Sequence, residues 1–277
     1  MIDQVASRTA LMVAAYRARA TRRQPPVCTD PWAAALAGPE GEELARQMDA
    51  RFPAMELWVA VRTAAIDAHV AFWATARRPI DQIVLLGAGF DARAARLAQA
   101  GRRFFEVDHP ASQSEKRRRI ARLTGYPVDA AKYVPCDFEK TDFLDELAMC
   151  GFDRSAPALV IWEGVVSYLS EPAIRATLRR IAAGCHPSTM LLFDHLLKPR
   201  AKDNFVDASE RFFGSLGETV LFRTNDILPL LYEEGFRHVR ATSFDEACLT
   251  LTGTYDRARQ FRFQRLVLAS RTPTEAP

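Results

Sequence analysis

The sequence predicts an α/β fold: a doubly wound, seven-stranded, mostly parallel sheet with an antiparallel last strand, an N-terminal helical cap and an insertion after strand five. Three observations carry this. From Ile80 onward, short apolar runs alternate with stretches of helical spacing, the pattern of parallel strands joined by crossover helices. The first run, 83–86, breaks at Gly87-Ala88-Gly89, after which Phe90, Ala94, Ala95 and Leu97 fall at helical spacing. Everything before Arg78-Pro79 reads as helix alone, so 1–78 form the cap and 79–277 the main domain.

The cap holds three helical stretches. Residues 3–23 mix Ala and Arg with few breakers, and Pro25-Pro26 stops them. Asp30-Pro31 opens the second, with Asp30 as N-cap and Pro31 at the first helical position. Residues 54–76 form a long amphipathic helix with Leu57, Val61, Ala64, Ala65, Ala68 and Phe72 on one stripe. Strands follow at 82–87, 103–107, 132–136, 158–162, 189–194, 237–243 and 261–269. Helices lie near 91–100, 110–124, 141–149, 171–183 and 225–234. Between the last two strands, 244–260 reads as a loop or broken turn, which lets the final strand run antiparallel. The stretch 195–225 is too long for an ordinary strand-to-helix connection of about 2–6 residues. It leaves the carboxyl end of a central strand, so it is read as a lid or substrate-binding insertion.

Composition narrows the function classes. The 277 residues are 48% hydrophobic and 26% charged, an ordinary globular balance. With 37 basic and 34 acidic residues the net charge is only +3, which by itself argues neither for nor against a nucleic-acid partner; the basic residues are scattered, and no such partner is expected. The cluster Lys116-Arg117-Arg118-Arg119, with Arg122, reads as the solvated face of a helix, because Ile120 and Leu123 sit among it at core spacing. Cys28, Cys136, Cys150, Cys185 and Cys248 include no C-x-x-C pair, so neither a zinc site nor a disulfide framework is expected and a reducing cytoplasm is the default. No apolar run approaches the roughly 18 residues of a membrane span, and Met1-Ile2-Asp3-Gln4 does not open a secretory signal. Oligomeric state stays open between monomer and homodimer.

The candidate chemistry gathers at strand ends. Strand one ends at the glycine turn. Strands two, three and four end on Asp108, on Cys136-Asp137-Phe138 and on Trp162-Glu163-Gly164. A glycine turn with a strand-end acid about 20 residues later is how a Rossmann-like unit holds a nucleoside. Gly87-x-Gly89-x-x-Ala92 with Asp108 also fits a nicotinamide dinucleotide, so that oxidoreductase reading stands beside the next one. Extra carboxylates would repel a pyrophosphate. They suit S-adenosyl-L-methionine better, with its sulfonium, ammonium, ribose hydroxyls and adenine amine. Its single carboxylate needs a cation, and Arg62 on the long cap helix is the candidate for a bidentate contact.

Four segments together carry a resemblance. Leu85-Leu86-Gly87-Ala88-Gly89-Phe90-Asp91-Ala92-Arg93 resembles the L-G-A-G-x-D-[TS]-R segment of the leucine carboxyl methyltransferase family. Ser7 to Arg17 with Asp30-Pro31, Phe105-Glu106-Val107-Asp108-His109-Pro110, and Glu163-Gly164-Val165-Val166-Ser167-Tyr168-Leu169 resemble its other motifs, in order and at family spacing. That family includes bacterial O-methyltransferases of natural-product pathways, the tetracenomycin type among them. The resemblance implies that Arg62 holds the cofactor's carboxylate, that Gly87, Ala88 and Gly89 lie along its methionyl part, and that Asp108 takes the ribose. It implies Asp137 at the adenine amine, Phe138 beside the ring and Glu163 near the ammonium. Arg17 stands in a segment that supplies a basic contact in relatives, with Arg19 competing for the register. Ala92 replaces a family Thr or Ser.

Methyl transfer needs the nucleophile held about 3 Å from the methyl carbon. A carboxylate, with pKa near 4, is ionised at neutral pH, whereas a phenol near 10 usually needs a base. No Ser-His-Asp or Cys-His pair stands out, which fits a carboxylate acceptor on a small molecule; a phenol or hydroxyl acceptor is the alternative. Tyr168, His195 and Arg223 are the candidates for the acceptor pocket. His195 reads either as a cap or lid residue or as a base or anchor, Tyr168 either as core or as catalyst, and Arg223 as a partner for an acceptor carboxylate.

Overall fold

The computed structural model describes residues 7–137, 142–199, 211–254 and 262–274. Its seven strands are β1 (Gln82–Leu86), β2 (Arg103–Asp108), β3 (Ala131–Pro135), β4 (Ala158–Trp162), β5 (Met190–Leu196), β6 (His238–Ser243) and β7 (Gln264–Ser270). They lie in the order β3-β2-β1-β4-β5-β7-β6. β1 to β5 pair in parallel, while β7 runs antiparallel to both β5 and β6. The strand order reverses between β1 and β4, which are neighbours in the sheet but not in the chain. Ligands bind in open α/β sheets beyond the carboxyl ends of the strands at such a point.

All five residues of β1 and of β4 are buried, because helices cover both faces. On one face Val84, Leu86, Val107 and Val160 pack with α6 (Phe143–Met149), α7 (Glu171–Gly184) and α8 (Leu228–Glu233). The α7 stripe Ile174, Thr177, Leu178 and Ile181 keeps helical period, and Ser170 caps it by accepting the Ala173 N–H. On the other face Ile83, Leu85, Leu159 and Ile161 meet Ala94 of α4 (Arg93–Leu97) and Ile66, Val70 and Trp73 of α3 (Met55–Thr75). Burying Ile66 and Val70 contributes on the order of 1.5–3 kcal/mol each. The second half of α3 is therefore a layer of the α/β sandwich. Its first half joins α1 (Arg8–Thr21) and α2 (Ala33–Asp49) in a separate apolar cluster with Phe90 and Phe244.

Three expectations are corrected here. The single α3 stripe fails: Ala68 is exposed, and Met55, Val59, Ile66, Val70 and Trp73 are buried instead. The helix passes from the cap cluster to the sheet, so its buried side is wider than one stripe. Asp30 does not cap α2. The helix starts at Ala33 after Trp32, while Asp30 is buried against Arg17 and accepts the Trp32 N–H. Finally, 244–252 is a helix, α9 (Phe244–Thr252), not a loop. Ser243 Oγ accepts the Glu246 N–H at 3.2 Å, Glu246 returns to the Ser243 N–H at 2.6 Å, and Gly253 closes the end at φ 70°. That Ser-x-x-Glu box was readable in the sequence. Among the described residues, no helix is long and apolar enough to cross a membrane.

Candidate active site

The glycine turn after β1 is held by its neighbour strand, with Gly87 N–H donating to Val107 O at 2.8 Å. Gly87 and Gly89 have φ of 68° and 49°. A Cβ at Gly87 would lie 2.6 Å from Val165 Cγ2, and one at Gly89 2.9 Å from Ala10 Cβ. Both backbone freedom and space thus require glycine at these two positions. Asp108, at the end of β2, accepts the Gly89 N–H at 2.5 Å and the His109 N–H at 2.7 Å. Burial raises its pKa, and the two N–H groups only partly offset that. The Ala88 side chain packs into the sheet core, so only its backbone faces the turn. Asp137 follows β3, which pairs with β2 up to Asp108 and Pro135, and is half-buried. Phe138 lies outside the described residues.

Beside the turn lies a buried ion network. Glu163, just past β4, takes Arg62 Nε at 2.8 Å and Arg93 Nη1 at 2.7 Å. Arg62 Nη1 also reaches Asp194 Oδ2 at 3.2 Å, and Asp194 Oδ1 accepts the Gly164 N–H at 2.6 Å. Arg93, 1% exposed in its side chain, continues to Asp67 at 2.7 Å and to Asp91. Arg96 shares Asp67 at 2.7 Å. Charges this deep persist only when paired. Burial works to raise Glu163, but Arg93 and Arg62 outweigh it and hold its carboxyl below the usual range. Asp91 is likewise brought to about 2 by Arg93 against its burial. At Asp194 burial outweighs Arg62, and the pKa is raised.

Two of the sequence-predicted site residues lie in or beside this region. Arg62 stacks over Trp58 at 4.7 Å and is engaged by two carboxylates, Glu163 among them. Arg17 donates to Phe90 O at 2.5 Å, beside the glycine turn, and pairs with Asp30 at 3.0 Å. Arg19 pairs instead with Glu42 and Asp49, both at 2.6 Å. Of the two competitors, Arg17 stands at the turn.

A cavity opens against Arg62 and Asp194, with about 770 Å³ of empty space out to and including its mouth. Tyr168 and Arg223 both line it. Burial first, then the carboxylate of Glu218, push the Tyr168 phenol far above its ordinary value, so it stays protonated. Arg223 donates to Leu197 O at 3.3 Å, and the neighbouring Leu221 and Phe222 N–H groups donate to Ser167 O at 2.8 and 3.1 Å. His195 is not brought to this cavity. Along β5, Asp194 and Leu196 line it, and the intervening residue points to the opposite face, 2% exposed and near Phe193. Burial lowers its pKa to about 4. Strand alternation therefore overturns His195 as a base or anchor in this pocket.

Other residues of the site escaped sequence reasoning. Asp194 could have been found from the same alternation, as the strand-end acid of β5. Arg93 stands in the glycine motif, but its three carboxylate partners, Asp67, Asp91 and Glu163, come together only in the fold. Trp58, whose indole donates to Gln264 Oε1 at 3.0 Å, and Phe213 carried no local signal.

Four acids, Asp108, Asp137, Glu163 and Asp194, thus cluster at the carboxyl ends of β2 to β5. Asp108 is buried, and no ion pair to it occurs among the described residues. Such a floor fits a ligand with hydroxyls and positive charge better than a pyrophosphate. The leucine carboxyl methyltransferase family model matches residues 10–182, well over half of the chain. The chain belongs to the leucine carboxyl methyltransferase family. A Mycolicibacterium vanbaalenii protein provisionally named an S-adenosyl-L-methionine-dependent methyltransferase is 33% identical over 68% of this chain and 65% of its own length. A Mycolicibacterium smegmatis relative with the same provisional name is 33% identical over 79% of this chain and 78% of its own. A Streptomyces avermitilis protein of the DUF574 family shares the fold, with a TM-score of 0.69 at 15% identity, covering 98% of this chain and all of that one. As a leucine carboxyl methyltransferase family member, the protein is an S-adenosylmethionine-dependent methyltransferase. That decides the cofactor left open at the glycine turn and sets the nicotinamide reading aside.

Proposed function

We propose that the protein is an O-methyltransferase that turns a carboxylate of a small molecule into its methyl ester. One observation carries this reading: among the described residues, the ionisable side chains that line the cavity are Arg62, Tyr168, Asp194 and Arg223. Tyr168 stays protonated, and both Asp194 oxygens are engaged. None of these four is placed to take a proton from a phenol. A carboxylate arrives already ionised, and needs a cation and a hydrogen-bond donor rather than a base. Arg223 supplies the first and Tyr168 the second.

When bound, S-adenosylmethionine supplies a methyl group activated on a sulfonium. Asp108 would hold the ribose hydroxyls, with Gly87, Ala88 and Gly89 leaving room along the methionyl part. Asp137 would take the adenine amine and Glu163 the ammonium, while Arg62 and Arg17 supply the positive side for the carboxylate. The chain's own share of the chemistry is positioning, because the acceptor end of the cavity shares Arg62 and Asp194 with this floor. No nucleic-acid or membrane partner enters this reading.

The test is the chemistry of the product. With methyl-labelled cofactor and a panel of carboxylic acids and phenols, mild alkali should release the label as methanol. The rate should stay flat from pH 6 to 9. Alkali-stable label, with a rate that climbs toward the phenol pKa of about 10, would replace the ester with an ether.

A further inference from the structure

The cavity has two unlike ends. Its charged groups gather where the sheet stops: Asp194 with Gly164 at the ends of β5 and β4, Arg62 reaching them from α3, and Ser167, Tyr168 and Arg223 beside them, while Thr9, Trp58 and Gln264 add single polar groups elsewhere in the lining. Its remaining walls come from parts of the chain outside the parallel sheet: Val13 from α1, Phe52 and Met55 around the start of α3, Phe213 and Val220 from the insertion, and Phe263 ahead of β7. These walls stack on one another. The Phe52 and Phe263 rings are 6.3 Å apart, and the Phe213 ring stands 6.1 Å from Tyr168. Val13, Phe213, Val220 and Phe263 keep part of their apolar surface exposed to the cavity space. Covering that surface is favourable in proportion to its area.

The charges in the lining are also uneven. Among the described lining residues, two guanidinium groups, Arg62 and Arg223, stand against one carboxylate, Asp194, and none of the apolar walls carries an acid. An ammonium group on the far part of an acceptor would be buried there without a counter-charge. A peptide backbone would set most of its N–H and C=O groups against Val13, Phe52, Met55, Phe213, Val220 and Phe263, which offer no side-chain partners, while Trp58 and Gln264 already bond each other and leave Thr9 on these walls.

We infer that the acceptor is a monocarboxylic acid with an uncharged, apolar tail, its carboxylate at the Tyr168–Arg223 end and its tail between α1, α3 and the insertion. This deepens the carboxylate reading above and rests on it. A free peptide C-terminus does not fit the same walls.

The test uses the whole 277-residue chain saturated with S-adenosylhomocysteine, so that binding is read without turnover. Acetate, hexanoate, decanoate, 2-naphthoate, decan-1-ol and the tripeptide Ala-Phe-Leu are titrated calorimetrically. Affinity should rise about three- to fourfold for each methylene buried, until the chamber fills. Decanoate or 2-naphthoate should bind at least about tenfold more tightly than acetate, and the better of the two assigns an aliphatic or an aromatic tail. Val220→Asp should remove that gain while S-adenosylmethionine binds as before. Equal affinity for acetate and decanoate, or tripeptide binding as tight as decanoate, would overturn the apolar tail. Ester formation on acetate without any dependence on chain length would do so too, while leaving the carboxylate reading intact. Decan-1-ol binding as tightly as decanoate, with no ester formed from any acid, would sink the carboxylate reading itself.

Discussion

The floor of the site and the chamber above it are built on opposite principles. The floor is polar and close-tied: Glu163, Arg93, Arg62 and Asp194 hold one another at 2.7–3.2 Å, under a glycine turn that leaves no room for a Cβ. The chamber is largely apolar, and α1, α3, the insertion and β7 each lend it only a few side chains. A floor of interlocked charges resists change at every member, because removing one strands the others. Walls held by apolar contact can change residue by residue at modest cost. On the proposed reading, the difference separates a fixed cofactor half from an adaptable acceptor half.

The largest effect should come from breaking the floor. Arg93→Met leaves Glu163, Asp91 and Asp67 short of a partner and should cost roughly 3–5 kcal/mol in denaturant unfolding. A loss under about 1 kcal/mol would show that the network is not cooperative.

His195 sharpens the boundary from behind. Its folded pKa of about 4 lies below the ordinary 6.5, so its contribution to stability is present above pH 6.5 and lost as pH falls toward 4. The amount is on the order of 3 kcal/mol. His195→Gln should flatten the unfolding curve over that window and leave methyl transfer near wild type. A collapse of activity with stability retained would return His195 to the mechanism.

Gly87→Ala should cost about 1–3 kcal/mol, from the left-handed backbone and the clash with Val165. Val165→Ala in the same chain should recover only the clash. Full recovery would show that φ is not what demands glycine there. The smallest effect belongs to the surface: Arg118→Ala removes an exposed pair with Glu115 and should leave both stability and activity unchanged.

What could be read in advance follows the same division. Strands alternate with helices at fixed spacing, and strand ends share one rim, so Gly87, Asp108, Asp137 and Glu163 announced themselves through local position alone. The chamber gave no such sign. Phe52, Trp58, Phe213 and Phe263 are ordinary apolar residues until folding brings them to one space, across as many as 211 positions of chain between the first and the last. His195 shares a strand end with Asp194 and Leu196 but faces the other way, so strand alternation and not proximity in sequence decides its place. The missed helix α9 was a different error, since its capping box is local.

The most direct test of the two-part site is a pair of titrations with S-adenosylmethionine on Asp108→Asn and Arg223→Met. The account predicts that Asp108→Asn weakens the cofactor about 10–100-fold, the worth of hydrogen bonds to a charged group. It predicts that Arg223→Met keeps cofactor affinity within about twofold, as an independent site should, while ester formation falls away. Unchanged affinity in Asp108→Asn, or an equal loss in Arg223→Met, would contradict it.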